Sequence, residues 1–502
     1  MTKLQEHIQH TESLARLLKP SDLYDWLVTE GYFPESYVLP PCFHVTKHPS
    51  YGKQFFSVTR TSYKPDIFQI RDLPFPRNEL TDRMFGIIHP HIHNDIAFEI
   101  AAAWDTILDL LFDTKKRVYS YSFPIPVSSN NPGKIGGLRA GRMIYEWIEM
   151  AENDLVEEAY AYKYLARTDV KNFYPSVYTH SIAWAFHGKP FIRSDKKRHD
   201  FSLLGNRIDK LFQNANDGCT NGLPIGPVVS DLISEVILSV ADLNISAQLQ
   251  RMNALAVRFK DDYWFLCKTE EESKRAVKLL QKELKALNLL LNEEKTNITE
   301  LPEGIFREWV SKYDAIRPKK RKRLTFREFK QLYLGVLRID EEVPGTGIID
   351  RFIADITDES YKPLFPISTK HIGKIISLLF LLAERRVKSF PRVLGLVESM
   401  LVSGRQSKIT DIVEAHLNKL LKHLCADLDE NSYRICWILY FLKSNKLNVR
   451  RKPSFSDPIL RSIQTSRSWI FSGIKEFRLF RGVRAARKAG SLLQQLDVFS
   501  PQ

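Results

Sequence analysis

Apolar residues recur at helical spacing from Thr2 to Leu27, and the pattern then gives way to a proline-rich, aromatic stretch from Pro34 to Pro90 that reads as irregular. Within that stretch Gln54 to Arg60 is a short candidate strand, and His89, His91 and His93 alternate as strand residues would. Helical spacing returns over Asp95 to Phe112 and, after a glycine-bearing loop from Asn130 to Gly141, over Ala140 to Glu158. Lys163 to Val170 predicts a strand ending in an aspartate. Asn206 to Asn214 and the long, amphipathic Pro227 to Leu249 predict helices. Leu255 to Cys267 predicts two short strands turning at Lys260, Asp261 and Asp262, and Glu270 to Leu287 one more helix.

Strand, helix, helix, hairpin, helix, strand is the order expected when helices cover one face of a mainly antiparallel sheet, an α+β arrangement. Leu332 to Ile339 predicts one further hairpin, and Pro344, Gly345 and Gly347 mark a linker. From Ile349 onward the pattern is helical, over His371 to Arg386, Ser389 to Val402, Ile409 to Ala426, Ser432 to Lys443 and Asp457 to Ile470. This is helix-pair spacing without a strict repeat, and it predicts a HEAT-like helical region.

The 502 residues, 44% of them hydrophobic, suffice for two or three packed domains and exclude a disordered or fibrous chain. Lys and Arg number 73 against 59 acids, a formal charge of +14, so the long-range field attracts polyanions such as nucleic acid. Five widely spaced cysteines with no CxxC pair suggest neither a disulfide framework nor a zinc ribbon, and fit a reducing cytoplasm. No signal segment or membrane-length apolar run is visible, so a soluble, cytoplasmic chain without a membrane partner is expected.

Joining a nucleotide to a hydroxyl requires two divalent ions, each held by hard carboxylate oxygens that lie close together. Arg167-Thr-Asp169-Val-Lys-Asn-Phe-Tyr174-Pro175 places an aspartate at the end of an apolar strand before an aromatic turn, and Val257-Arg-Phe-Lys-Asp261-Asp262-Tyr-Trp-Phe-Leu266 places two acids at a hairpin tip. An adjacent acid pair alone is more often a solvated turn. Here the pair comes after Gly222-Leu-Pro-Ile-Gly226-Pro-Val-Val-Ser230 and before Leu291-Asn-Glu-Glu-Lys295-Thr, and this order points to chemistry.

The set resembles reverse transcriptases. Asp169 to Pro175 looks like their motif A, Gly222 to Ser230 like motif B, Phe259 to Asp262 like motif C, and Asn292 to Thr296 like motif D, with Leu332-Tyr-Leu-Gly335 resembling the primer-grip hairpin. The resemblance runs from Phe55 to Ile339. More narrowly, GLPIGP with FKDD is similar to the abortive-infection reverse transcriptases, the type carried by P2-like prophages. It implies an N-terminal extension and fingers over 1–150, a palm over 151–343 and an α-helical region over 344–502.

By that resemblance Asp169, Val170, Asp261 and Asp262 hold two magnesium ions, for which manganese can substitute, and the backbone after Asp169 cradles the triphosphate. Catalytic roles fall on Asp169, Asp261, Asp262 and Lys295, the last as a proton donor to, or neutraliser of, the departing pyrophosphate. Nucleotide binding falls on Val170, Tyr174, Arg139, Arg142 and Gly226. Tyr174 is read either as a steric gate against the ribose 2′-hydroxyl or as a core aromatic. Lys134, Arg139 and Arg142 are read either as a triphosphate clamp or as surface charge. Ile225 stands where many relatives have glutamine, and Phe259-Lys260 replaces Tyr-Ala before the aspartate pair; both changes bear on template handling.

The implied activity is DNA synthesis from deoxynucleoside triphosphates in antiphage defence, template-independent and primed by a protein tyrosine, so that single-stranded DNA becomes attached to the chain. A homo-oligomer is the implied assembly. Two other readings stand beside it: a reverse transcriptase copying a partner RNA, as retron-like systems do, and a non-catalytic nucleic-acid-binding scaffold. Two basic tracts, Arg317 to Arg323 and Lys443 to Lys488 with Trp469, Phe471, Phe477 and Phe480, are read as backbone-tracking surfaces or as a solvated loop and an amphipathic helix. The three histidines 89, 91 and 93 are read as a metal group or, more simply, as structural residues.

Overall fold

Seven strands carry the β-structure of the computed structural model, which describes residues 2–77, 81–137, 139–318, 323–365, 367, 370–404, 407–450 and 454–496. Strands β1 (Arg71–Pro76) and β2 (Asp82–Ile87) form a two-stranded sheet. The remaining strands, β3 (Val118–Ser120), β4 (Tyr164–Asp169), β5 (Leu255–Phe259), β6 (Asp262–Cys267) and β7 (Asn297–Glu300), form a five-stranded sheet in the order β3-β5-β6-β4-β7. All its pairings are antiparallel except that of β3 with β5.

Alternation along the strands puts apolar side chains on both faces. Ala166, Tyr263 and Phe265 join a large core with the helices Val228–Arg251 and Glu270–Ala286. Their neighbours Leu165, Val257 and Leu266 join a smaller core with Leu4, Met150, Leu155 and Ile305. The expectation of helices on one face is therefore incomplete: the second face is covered too. Helix Val228–Arg251 is also not amphipathic as expected, because its residues are buried on nearly every side down to Leu249.

The chain divides into two compact units. The first is Met1–Pro34, His48–Asp72 and Phe85–Phe306, and it contains the five-stranded sheet. The second is Glu35–Lys47, Leu73–Met84 and Arg307–Gln502, mostly helical, with successive packed helices at Ile372–Arg385, Phe390–Gly404, Ser407–Leu424 and Leu428–Ser444.

Several local expectations are corrected. The hairpin expected over Leu332 to Ile339 is a helix, Phe326–Glu342. Thr325 and Glu328 cap its start reciprocally, and Phe329, Leu332, Tyr333, Val336 and Ile339 recur at helical spacing on the buried side, which outweighs the strand preference of the central residues. Gln54 to Arg60 forms no strand and makes one isolated bridge, Val58 with Tyr63. His89, His91 and His93 do not alternate on a strand, because Pro90 opens a helix, Pro90–Ala102, with His89 as its N-cap. His89 stacks on Phe68, His91 on Phe55, and buried His93 packs edge-on against Tyr32. Asp95 to Phe112 is two helices, broken at Ala103.

Candidate active site

Three carboxylates converge because two strands end together. In the antiparallel register of β4 and β6, Asp169 lies directly opposite Asp262, and the Val170 amide donates to the Asp261 carbonyl at 3.2 Å. Lys260 takes a left-handed conformation (φ 52°) that turns β5 tightly into β6 and sets Asp261 and Asp262 at the tip. The turn is held from both sides: the Lys260 amide donates to Ser122 Oγ, and the Arg258 guanidinium donates to the Lys260 carbonyl at 2.8 Å.

The segment after the next helix closes onto the same strand end. The Asn292 amide donates to the Asp169 carbonyl at 2.7 Å, Thr168 and Thr296 share a hydroxyl contact at 2.7 Å, and Leu291 bridges Val170. This brings the Lys295 ammonium onto Asp169 Oδ2 in an ion pair. Asp169 is 5% exposed, and its other oxygen, Oδ1, is buried with no hydrogen-bond partner.

Like charges at this spacing resist ionisation together. Desolvation, then the Asp169 carboxylate, pushes Asp261 up to about 7. The same two causes push Asp262 to about 6, against the pull of Lys295 and Arg167. Among the described residues no group of three His, Cys, Asp or Glu side chains is arranged to enclose a metal ion, and the cation in contact with Asp169 is Lys295. The chemistry of the donors nevertheless fits a hard dication: carboxylate oxygens only, one of them buried and unpartnered, in a cluster whose repulsion added positive charge relieves.

The aromatic turn and the glycine loop dock on each other. Asn172 is left-handed (φ 46°), which starts the short turn of helix Phe173–Ser176, and the Leu223 amide donates to the Tyr174 carbonyl at 2.8 Å. The Tyr174 hydroxyl donates to Asp231 at 2.5 Å, so its half-buried ring is fixed between the turn and helix Val228–Arg251. Gly226 (φ +128°) admits no side chain, because a Cβ would lie 2.9 Å from Pro34. Ile225 bridges Phe85.

Of the other expected site residues, Lys134 lies 3.9 Å from Asp22. The side chains of Arg139 and Arg142 fall outside the described residues, although their backbone opens helix Arg139–Glu149. Most of the basic tract 317–323 is likewise outside them. In the second tract Phe477 and Phe480 are buried, while Trp469 is exposed with Arg461 stacked on it at 3.6 Å.

Sequence reasoning missed Arg258. It is completely buried on β5, between Glu235 at 2.9 Å and Asp242 at 2.8 Å, and the Tyr263 hydroxyl also donates to Asp242. Burial alone would lower its pKa, and the two acids more than reverse that. The signal was present: Glu235 and Asp242 stand seven apart, on one face of a helix, opposite a charged residue in an apolar strand.

Residues 114–336 match the family described as reverse transcriptase (RNA-dependent DNA polymerase), a span that contains all three aspartates and Lys295. The chain carries a reverse transcriptase domain. The matched span belongs to an α+β fold followed by a helical region. No curated protein sequence matches. Among solved structures, apo telomerase from Candida tropicalis truncated from its C-terminal domain is similar at 14% identity and a TM-score of 0.30, over 47% of this chain and 50% of that one. Apo telomerase from the same organism is similar at 15% and 0.33, over 77% and 71%. Candida tropicalis telomerase in complex with a TWJ fragment of telomeric RNA is similar at 15% and 0.32, over 76% and 65%. This chain spans half the length of the first of these. No helix among the described residues is long and apolar enough to cross a membrane.

Proposed function

We propose that this protein is a DNA polymerase of the reverse transcriptase type that acts in abortive infection against phage, adding deoxynucleotides without a template to a primer hydroxyl on a protein tyrosine. The observation that carries the polymerase reading is the pairing of Asp169 against the Asp261-Asp262 turn, with a buried unpartnered oxygen on Asp169. Untemplated, protein-primed synthesis and the defence role rest on the similarity of GLPIGP and FKDD to the abortive-infection group. In this reading 1–150 serves as extension and fingers, 151–343 as palm and 344–502 as a helical, HEAT-like region. The protein works in the cytoplasm as a homo-oligomer.

Asp169, Asp261, Asp262 and the Val170 backbone would hold magnesium, or manganese in its place. The bound ions supply charge neutralisation for the triphosphate and acidity for the attacking hydroxyl. The chain does the rest by position. The Val170 backbone and Gly226 bind the nucleotide, Arg139 and Arg142 clamp its phosphates, and Tyr174, its ring fixed through Asp231, excludes a 2′-hydroxyl. Lys295, which pairs with Asp169, protonates the departing pyrophosphate in this reading. Incubation of the purified protein with Mg²⁺ and labelled deoxynucleotides alone tests the priming claim: label becomes attached to protein, at a tyrosine found by peptide mass spectrometry. Incorporation only when primer and template are supplied would defeat it.

A second reading is favoured by the matched family's own description, RNA-dependent DNA polymerase. In it the same site copies a partner RNA, and nuclease treatment of the purified protein abolishes synthesis.

A further inference from the structure

We propose that a hollow built by the helices His180–His187, Lys189–Ile192 and Leu204–Ala215 is a second phosphate-recognising site, one that takes a nucleoside polyphosphate. It has a volume of about 590 Å³ and shares no lining residue with the aspartate site. That size suits a single small ligand.

Its charge is one-sided. Lys189, Arg193, Arg198 and Lys210 line it, and Asp209 is the one acid among the lining residues. Asp209 is already committed: its carboxylate accepts from His180 at 2.5 Å and from Gln213 at 2.7 Å. That bond raises the imidazole's proton affinity, adding a further positive group to the wall. No ion pair engages Arg193, Arg198 or Lys210 among the described residues, whereas elsewhere arginines such as Arg207 and Arg258 are each matched to acids. Guanidinium groups left without acids around a concave surface suit phosphate oxygens, which they bind in a fork.

The walls are also built for a ring and for rigidity. Tyr178 and Trp184 lie 5.6 Å apart at one side and Phe201 lines the hollow as well, offering apolar surface to a base. Gly205 lets the helices approach so closely that a Cβ there would lie 2.7 Å from the Ala183 backbone. The loop bearing Arg198 is stapled: Asn206 donates to the carbonyls of Lys197 and Asp200, and Asp200 accepts from Ser202. A backbone fixed before a ligand arrives lowers the entropic cost of binding it.

The test uses the full chain carrying Asp261→Ala and Asp262→Ala, in EDTA, so that the aspartate site contributes no metal-dependent binding. Calorimetric titration with dATP is expected to show one saturable site, competed by inorganic triphosphate and not by deoxyadenosine. Adding Arg193→Ala and Arg198→Ala is expected to weaken binding at least ten-fold with an unchanged melting temperature. Photo-crosslinking of 8-azido-dATP to the otherwise unaltered protein, which depends on no change in the hollow, is expected to label peptides within 178–213. Absence of saturable binding, unchanged affinity in the arginine variant, or crosslinks only outside that span would overturn the proposal, as would binding of a single-stranded oligonucleotide with no binding of dATP.

Discussion

The β5–β6 hairpin has an acidic cluster at each of two places, and the two are balanced in opposite ways. Inside, Glu235 and Asp242 flank Arg258, which is fully buried and donates to both, so the protein supplies the cation and the cluster is closed. At the tip, Asp169, Asp261 and Asp262 face each other with Lys295 paired to one of them; Asp261 is held near 7, and an oxygen of Asp169 is left unpartnered. The first arrangement is structural. The second has the character of a site that accepts positive charge from outside, and Arg258 links them, since it bonds the carbonyl of the turn that carries the tip.

Substitutions can separate the two clusters. Asp169→Ala or Asp261→Ala is expected to cut nucleotide incorporation by about 10³-fold or more while the protein stays folded; an active Asp169→Ala protein would place catalysis elsewhere. Arg258→Met strands two buried carboxylates and is expected to cost about 3–5 kcal/mol, read as a fall in denaturant midpoint. A midpoint equal to the parent's would mean that the inner cluster is not closed as described. Lys295→Met is expected to lower the rate by roughly 10²-fold through loss of proton transfer and to leave the midpoint nearly unchanged. Tyr174→Phe removes a hydrogen bond to a charged group and is expected to cost about 1.5–3 kcal/mol, with the preference for deoxynucleotides retained because the ring remains. Smallest is Asp261→Asn in metal-free buffer: relief of the crowding is expected to raise the melting temperature by roughly 2 °C, the opposite sign to Arg258→Met.

The same contrast shows what was legible in the sequence. The tip was readable because both signals are local: an apolar strand ending at Asp169, and two acids between strands that alternate about Lys260. Its arrangement about Asp169 needed only the order of the motifs. The inner cluster was not read, because Arg258, Glu235 and Asp242 become partners only when helix Val228–Arg251 packs on the sheet. Leu332 to Ile339 misled for a related reason: its branched and aromatic residues suit a strand, and the capping pair Thr325 and Glu328 that begins a helix lies outside the segment. Strand β3 has three residues, too few for periodicity to mark. The enclosure of Glu35–Lys47 and Leu73–Met84 in the second unit depends on packing against residues hundreds of positions away, which no local pattern records.

Counting bound Mn²⁺ by electron paramagnetic resonance, with a deoxynucleoside triphosphate present, addresses the acidic tip most directly. Two ions per chain are predicted for the parent protein, and loss of both in the variant carrying Asp169→Ala and Asp261→Ala. Equal occupancy in parent and variant would contradict the assignment of the three aspartates as the cation-holding group.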